Sequence, residues 1–172
     1  ISLTMITLNE ELSVKKVIED IKKLDERIEI VIVDSSDDQT AEIAKSLGAN
    51  VFLQHPPKGY GPAMDHALKC SNRELIITVD CDDTYPLDQV DYFSRLIMEQ
   101  NFDVVDGNRL ATKPKFMPII NYLANYGFAL VASLLFMVRI KDLHSGMRAY
   151  KKNIISKLPY KIDGVSLPVE LI

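Results

Sequence analysis

Apolar positions along this chain come in short unbroken runs, and between the runs they recur every three or four residues. The runs SLTMITL (2–8), IEIVIVD (28–34), NVFLQ (50–54), ELIITVD (74–80) and FDVVDG (102–107) are too short for stable helices, and several are rich in β-branched residues. They read as strands. Val14, Val17, Ile18, Ile21 and Leu24 instead share one helical face, which predicts a helix over 9–24 with Asn9 as its cap. TAEIAKSLG predicts a second helix ending at Gly48, HPPKGYGPA leads into a third over 63–70, and Pro86 opens a fourth carrying Val90, Phe93 and Ile97. Strands that are continuously apolar rather than alternating, separated by helices, predict an α/β fold. Its sheet is mainly parallel and covered on both faces.

In such a sheet, ligands bind beyond the carboxyl ends of the strands. The loops there are NEE, DSSDDQT, DCDDTYP and DGNRL, so polar chemistry collects on one edge. The clustering carries more weight than any single motif.

Bulk composition narrows the function. The 172 residues are 47% hydrophobic and 26% charged, which fits a single globular domain over 1–172. A net charge of −4 gives no basic footprint for nucleic acid. Cys70 and Cys81 are too few for a disulfide framework and suit a reducing, cytoplasmic setting. No basic segment precedes the first apolar run, so no signal peptide is expected. A chain that opens on Ile1 and stops at LPVELI reads as a C-terminally truncated piece of a longer protein.

The DCDD stretch sets three carboxylates within four positions at a strand end. Like charges this close need a cation or a shared proton. Side chains at i and i+2 of a strand point the same way, so Asp80 and Asp82 can reach one Mg²⁺ or Mn²⁺ ion while Cys81 faces away. ITVDCDDT also fits the D-x-D-x-T pattern of aspartyl phosphatases, with Asp80 as nucleophile and Asp82 as acid/base. That motif normally lies on the first strand of its domain, and here a long α/β stretch precedes it. A solvated acidic turn is the third alternative. Asp34 could hold a ribose or a base N–H, or cap the following helix, a task open to Asp37 and Asp38 as well. In KGYG, Gly59 and Gly61 would let backbone approach a phosphate beside Lys58. Arg109 follows a strand end and Arg148 follows a glycine turn, and guanidinium groups clamp phosphates bidentately.

The ordered set NEE, VDSSDDQT, KGYG, DCDDTYP, GNR and DLHSGMRAYKK resembles family 2 glycosyltransferases of the GT-A fold, near the dolichyl-phosphate mannose synthase and polyprenyl-phosphate glycosyltransferase branch. The resemblance spans nearly the whole chain. It implies an inverting, metal-dependent hexosyltransferase that takes its sugar from a UDP- or GDP-sugar; a nucleotide-sugar-binding domain that has lost activity and regulates a partner is the non-enzyme alternative. Asp80 and Asp82 would bind the metal and the nucleotide diphosphate, with Asp82, Arg109 and Arg148 as catalytic residues. Asn9, Glu10, Glu11, Asp34, Lys58, Gly59 and Cys81 would join Asp80 around the nucleotide sugar. Ser145 and Arg148 would meet the acceptor phosphate. Departures from the family pattern are Ile6-Thr7-Leu8 before Asn9, Asp65, Ala67, Thr84 and SGM in place of SGF.

The stretch 116–138 carries no charge and is long enough to span a bilayer. The GNR and SGMR motifs flank it, and a shared site would need both on one side. An interfacial helix that offers a polyprenyl phosphate acceptor at the cytoplasmic face of a membrane is therefore expected. Packing in the core or against a second copy in a homo-oligomer is the alternative.

Overall fold

The computed structural model describes residues 1–82, 85–111 and 117–157. Thr84, the start of the charge-free stretch at Phe116 and the C-terminal segment 158–172 lie outside the described residues. In chain order the elements are β1 (Ser2–Thr7), α1 (Val14–Leu24), β2 (Glu29–Asp34), α2 (Thr40–Ser46), β3 (Asn50–Leu53), α3 (Tyr60–Cys70), β4 (Leu75–Thr78), α4 (Val90–Met98), β5 (Val104–Asp106), α5 (Ile119–Phe136), β6 (Arg148–Lys151) and α6 (Lys152–Ile155). Short 3₁₀ turns at Leu87–Gln89 and Arg109–Ala111 precede α4 and follow β5.

The six strands form one sheet in the order β3-β2-β1-β4-β6-β5. β1, β2, β3 and β4 pair in parallel, while β6 runs antiparallel between β4 and β5. Leu3, Met5, Ile32 and Ile77 on one face meet Val17, Ile18 and Ile21 of α1 and Phe93 and Ile97 of α4. On the other face, Met64 and Leu68 of α3 cover Ile76 and Tyr150, and Ala63 and Ala67 cover Val33. Each fully buried side chain of this size contributes about 1.5–3 kcal/mol. Helices on both faces explain why the strands are apolar throughout.

Several boundaries differ from the sequence expectation, each for a local reason. Helix α1 begins at Val14, because Asn9 adopts φ +60° and its side chain is engaged elsewhere. Helix α3 begins at Tyr60, directly after Gly59 at φ +94°, a conformation that favours glycine. A 3₁₀ turn separates Pro86 from α4. Gly48 ends α2 at φ +81° as expected, its N–H bonded to the Lys45 carbonyl. Strand β6 was not expected at all. The β4–α4–β5 crossover leaves one strand's width open, and RAYK fills it. Because β6 is antiparallel, its start meets the carboxyl ends of β4 and β5, with Arg148 opposite both Thr78 and Asp106.

Helix α5 departs most from a globular norm. Of its 18 residues only Ala129 and Ala132 are buried, while Ile120, Leu123, Leu134, Leu135 and Phe136 stand exposed. It is not a core helix. It is the one helix among the described residues long and apolar enough to cross a membrane.

Candidate active site at the carboxyl edge of the sheet

The first two loops are knitted into one unit. The backbone N–H groups of Asn9 and Glu10 donate to Ser36 Oγ (2.7 Å) and Thr40 Oγ1 (2.9 Å). In return, Asp37 N–H donates to Asn9 Oδ1 (3.0 Å) and Gln39 N–H to Glu11 Oε2 (3.3 Å). Asn9 and Glu11 thus hold loops rather than cap α1, and Glu11 lies outside the cavity walls described below. Asp34 is fully buried beneath them. Its carboxylate accepts the Thr7 and Ser36 hydroxyls (2.6 Å each) and the Ser36 N–H (3.2 Å). It does not cap α2, whose N-cap position is Gln39; Asp38, one residue earlier, accepts the Thr40 N–H at 2.9 Å.

A cavity of about 380 Å³ opens beside this unit, walled by Glu10, Ser35, Gly59, Tyr60, Asp80 and Asp82 among others. Lys58 is exposed and outside that wall. Cys81 contributes to the wall but packs into the main core, and burial followed by the surrounding carboxylates pushes its thiol to about 12. Burial and the Asp80 charge push the Tyr60 hydroxyl to about 12.

A larger cavity of about 740 Å³ lies on the other side of the same two aspartates, with Tyr85, Asp106, Arg109 and Ser145 in its wall. Asp80 and Asp82 therefore stand on a partition shared by both cavities. Burial raises the Asp80 pKa, and the Asp82 and Glu10 carboxylates add to the rise against a hydrogen bond from Tyr85 and the charge of Arg109. Tyr85 Oη also accepts the Gly146 N–H at 2.9 Å, and Thr78 Oγ1 donates to the Gly146 carbonyl at 2.8 Å. A Cβ at Gly146 would lie 2.5 Å from both Asp80 Oδ2 and Tyr85 Oη, so only glycine lets β6 approach this closely.

Two ion pairs build the rest of the larger cavity. Arg109 donates from its backbone N–H (3.0 Å), Nε (2.9 Å) and Nη2 (3.2 Å) to buried Asp142. Burial opposes ionisation of Asp142, but the bonds and charge of Arg109 prevail and hold its pKa low. Arg148 was expected to face a phosphate. It is instead 1% exposed, bonded from Nε to Asp106 (2.7 Å) and from Nη2 to the Leu143 carbonyl (2.9 Å), and it is absent from the walls of both cavities. Antiparallel β6 turns its side chain beneath the site, where it supports Asp106. Burial pushes Asp106 up to about 6 despite that partner. Ser145 is buried at the wall, its Oγ donating to the Met147 carbonyl at 3.3 Å.

Sequence reasoning missed Tyr85, Asp106, Asp142 and Gly146. Asp106 and Asp142 carried a usable signal, since a buried arginine requires a carboxylate nearby. The donor chemistry of Asp80 and Asp82 suits a hard divalent ion. No cluster of three or more His, Cys, Asp or Glu forms a cage among the described residues, and a Mg²⁺- or Mn²⁺-type ion completes its shell with ligand phosphates and water.

The fold itself is that of the GT-A glycosyltransferases. Glucosyl-3-phosphoglycerate synthase from Mycobacterium tuberculosis in complex with UDP superposes with a TM-score of 0.76 at 22% identity, over 99% of this chain and 62% of that one. The same enzyme with Mn²⁺, UDP and glucosyl-3-phosphoglycerate gives 0.73. Residues 2–158 match the Glycosyl transferase family 2 model, and the chain belongs to that family. The dolichyl-phosphate hexose transferase of Haloferax volcanii is 38% identical over all of this chain and 75% of its own length. The UDP-N-acetylglucosamine–dolichyl-phosphate N-acetylglucosaminyltransferase of Methanococcus voltae is 24% identical over 87% of this chain and 68% of its own. Family membership removes the aspartyl-phosphatase alternative.

Proposed function

We propose that this chain carries the catalytic site of an inverting hexosyltransferase that moves a sugar from a UDP- or GDP-sugar to a polyprenyl phosphate. The observation that carries the proposal is the partition: one pair of carboxylates borders two cavities. The smaller cavity, floored by the loops after β1 and β2 and by Gly59, takes the nucleotide. The larger takes the sugar and the acceptor phosphate. Asp80 and Asp82 would hold a divalent ion, which when bound neutralises charge on the departing nucleotide diphosphate. Mutual repulsion and burial at Asp80 favour a cation there. The dolichyl-phosphate acceptors of the relatives and the Mn²⁺ in the neighbour structures support the assignment.

The acceptor simplifies the chemistry. A phosphate monoester has a second pKa of about 6, so at neutral pH it is largely dianionic and attacks the anomeric carbon without a strong general base. The protein must align it and exclude water. Arg109, held by Asp142 with its guanidinium in the larger cavity's wall, is suited to position a phosphate oxygen. Arg148 acts through Asp106 as a positioning residue.

A membrane surface fits α5. The Arg109–Asp142 pair joins the chain before α5 to the chain after it, and Arg109 and Ser145 share one cavity wall. A helix of 18 residues is about 27 Å long. Flanks that meet in one site favour a helix lying along the cytoplasmic face of a membrane over one crossing it. Packing of α5 against a second copy is the competing use of the same face.

Thermal shifts against UDP and GDP, each with Mn²⁺ or EDTA, test the donor half: stabilisation should need both nucleotide and metal. Leu134→Glu with Leu135→Glu tests the acceptor half, since both side chains are over 70% exposed. The double variant should keep nucleotide binding and lose liposome binding. Unchanged liposome binding would count against the membrane role.

A further inference from the structure

A third cavity, of about 540 Å³, lies between α5 and the chain on either side of it. Leu110 walls it from before the helix, Tyr122, Tyr126 and Leu130 from the helix itself, and Arg139 and Lys141 from the chain that follows. The described wall holds two cations and no carboxylate. Both cations are exposed, and neither forms an ion pair among the described residues. Asp142, next in sequence, is buried and held by Arg109, so its charge is already matched. The turn that carries the two cations is tied down: Ile140, between them, donates its N–H to Ser133 Oγ (2.9 Å), and that hydroxyl donates to the Ala129 carbonyl (2.7 Å).

Charge and apolar surface meet at this cavity. The chain as a whole carries −4, yet every charged residue between Arg109 and Asp142 is a cation: Lys113, Lys115, Arg139 and Lys141. Tyr126 and Leu130 are more than half exposed, and Leu134 continues their row one helical turn on, 73% exposed. A tyrosine and cations at the border of an apolar face fit a membrane–water interface. A basic pocket beside an apolar surface fits the anionic headgroup of a lipid. Arg109, assigned above to the acceptor, lies in the larger cavity's wall and not in this one, while Asn108 borders both. A phosphate held here is therefore distinct from the acceptor phosphate and adjacent to it.

We propose that this cavity takes the headgroup of an anionic phospholipid, its phosphodiester between Arg139 and Lys141 and its acyl chains along Leu130 and Leu134. Such a lipid would fix the orientation of the larger cavity above the bilayer from which the acceptor comes. The assignment rests on the membrane role of α5 proposed above.

The experiment measures binding to vesicles of phosphatidylcholine alone and of phosphatidylcholine mixed with phosphatidylglycerol, for the unmutated chain and for Arg139→Gln with Lys141→Gln. Each cation near an anionic surface contributes roughly fivefold, so the unmutated chain should prefer the mixed vesicles by about thirtyfold or more. The double variant should lose that preference and keep its binding to neutral vesicles, its Tm and its Mn²⁺-dependent nucleotide binding. Should the variant fold poorly, the Arg139 Nε–H resonance of the unmutated protein serves instead. It should move saturably with dihexanoyl-phosphatidylglycerol, but not with dihexanoyl-phosphatidylcholine or inorganic phosphate. A preference retained in the variant, an equal loss on both vesicles together with a lower Tm, or a resonance that is static or moves equally with inorganic phosphate would overturn the assignment. Equal binding of the unmutated chain to both vesicles would overturn it and leave the membrane role standing. Binding to neither would overturn both.

Discussion

The two sides of the Asp80–Asp82 partition are built in different ways. On the β1–β2–β3 side, consecutive loops are joined by neutral or singly charged hydrogen bonds over separations of about 30 residues, and one buried carboxylate, Asp34, gathers three donors. On the β5–β6 side, two arginines pair with two aspartates 33 and 42 residues away, and Arg148 and Asp142 are almost wholly withdrawn from solvent. The first side is a stitched backbone that presents a few side chains. The second is a set of charges whose positions depend on one another. Losing one stitch should be local, and losing one charge should not.

The largest effect should therefore come from the charge side. Arg148→Met leaves Asp106 without its cationic partner and should cost about 3–5 kcal/mol in urea unfolding. A loss below about 1 kcal/mol would mean the pair is not structural. Asp34→Asn probes the stitched side. It removes the charge from three hydrogen bonds and should cost about 2 kcal/mol, with nucleotide affinity falling alongside. A larger loss than for Arg148→Met would reverse the comparison.

A subtler difference lies in pH. Asp106 has its pKa raised from 3.8 to about 6, so between these values the folded protein binds the proton that the unfolded chain has released. Stability from this group is full below about 4 and declines as pH rises to about 6. Asp106→Asn should remove that part of the slope. If the slope over pH 4–6 is the same in the variant, Asp106 does not titrate as its burial requires.

The same contrast explains what was legible in the sequence. Strands β1 to β5 and helices α1 to α4 follow from apolar period, because their burial is decided by neighbours of like pattern. Asp80 and Asp82 share cavity walls as i, i+2 alternation suggested, but β4 ends at Thr78, before them, and Cys81 joins them in the smaller cavity's wall while also packing into the core. Strand β6 was hidden because RAYK has charged ends, and its arginine is buried only through Asp106, 42 residues earlier. The start of α1 was misplaced because Asn9 spends its side chain on the next loop rather than on its own helix. Helix α5 could be read as a helix, but a stretch apolar all round has no period to say which face is covered. The structure leaves nearly all of it exposed.

In the function proposed for this site, Asp80 and Asp82 join the two cavities through a metal-held diphosphate. Calorimetric titration of UDP and GDP into the unmutated chain, Asp80→Asn and Asp82→Asn, each with Mn²⁺ and with EDTA, tests it most directly. The prediction is tight binding only for the unmutated chain with Mn²⁺, and loss of the metal-dependent component in both variants while their Tm stays equal or rises, as carboxylate repulsion is relieved. Retention of the same Mn²⁺-dependent affinity in both folded variants would contradict it.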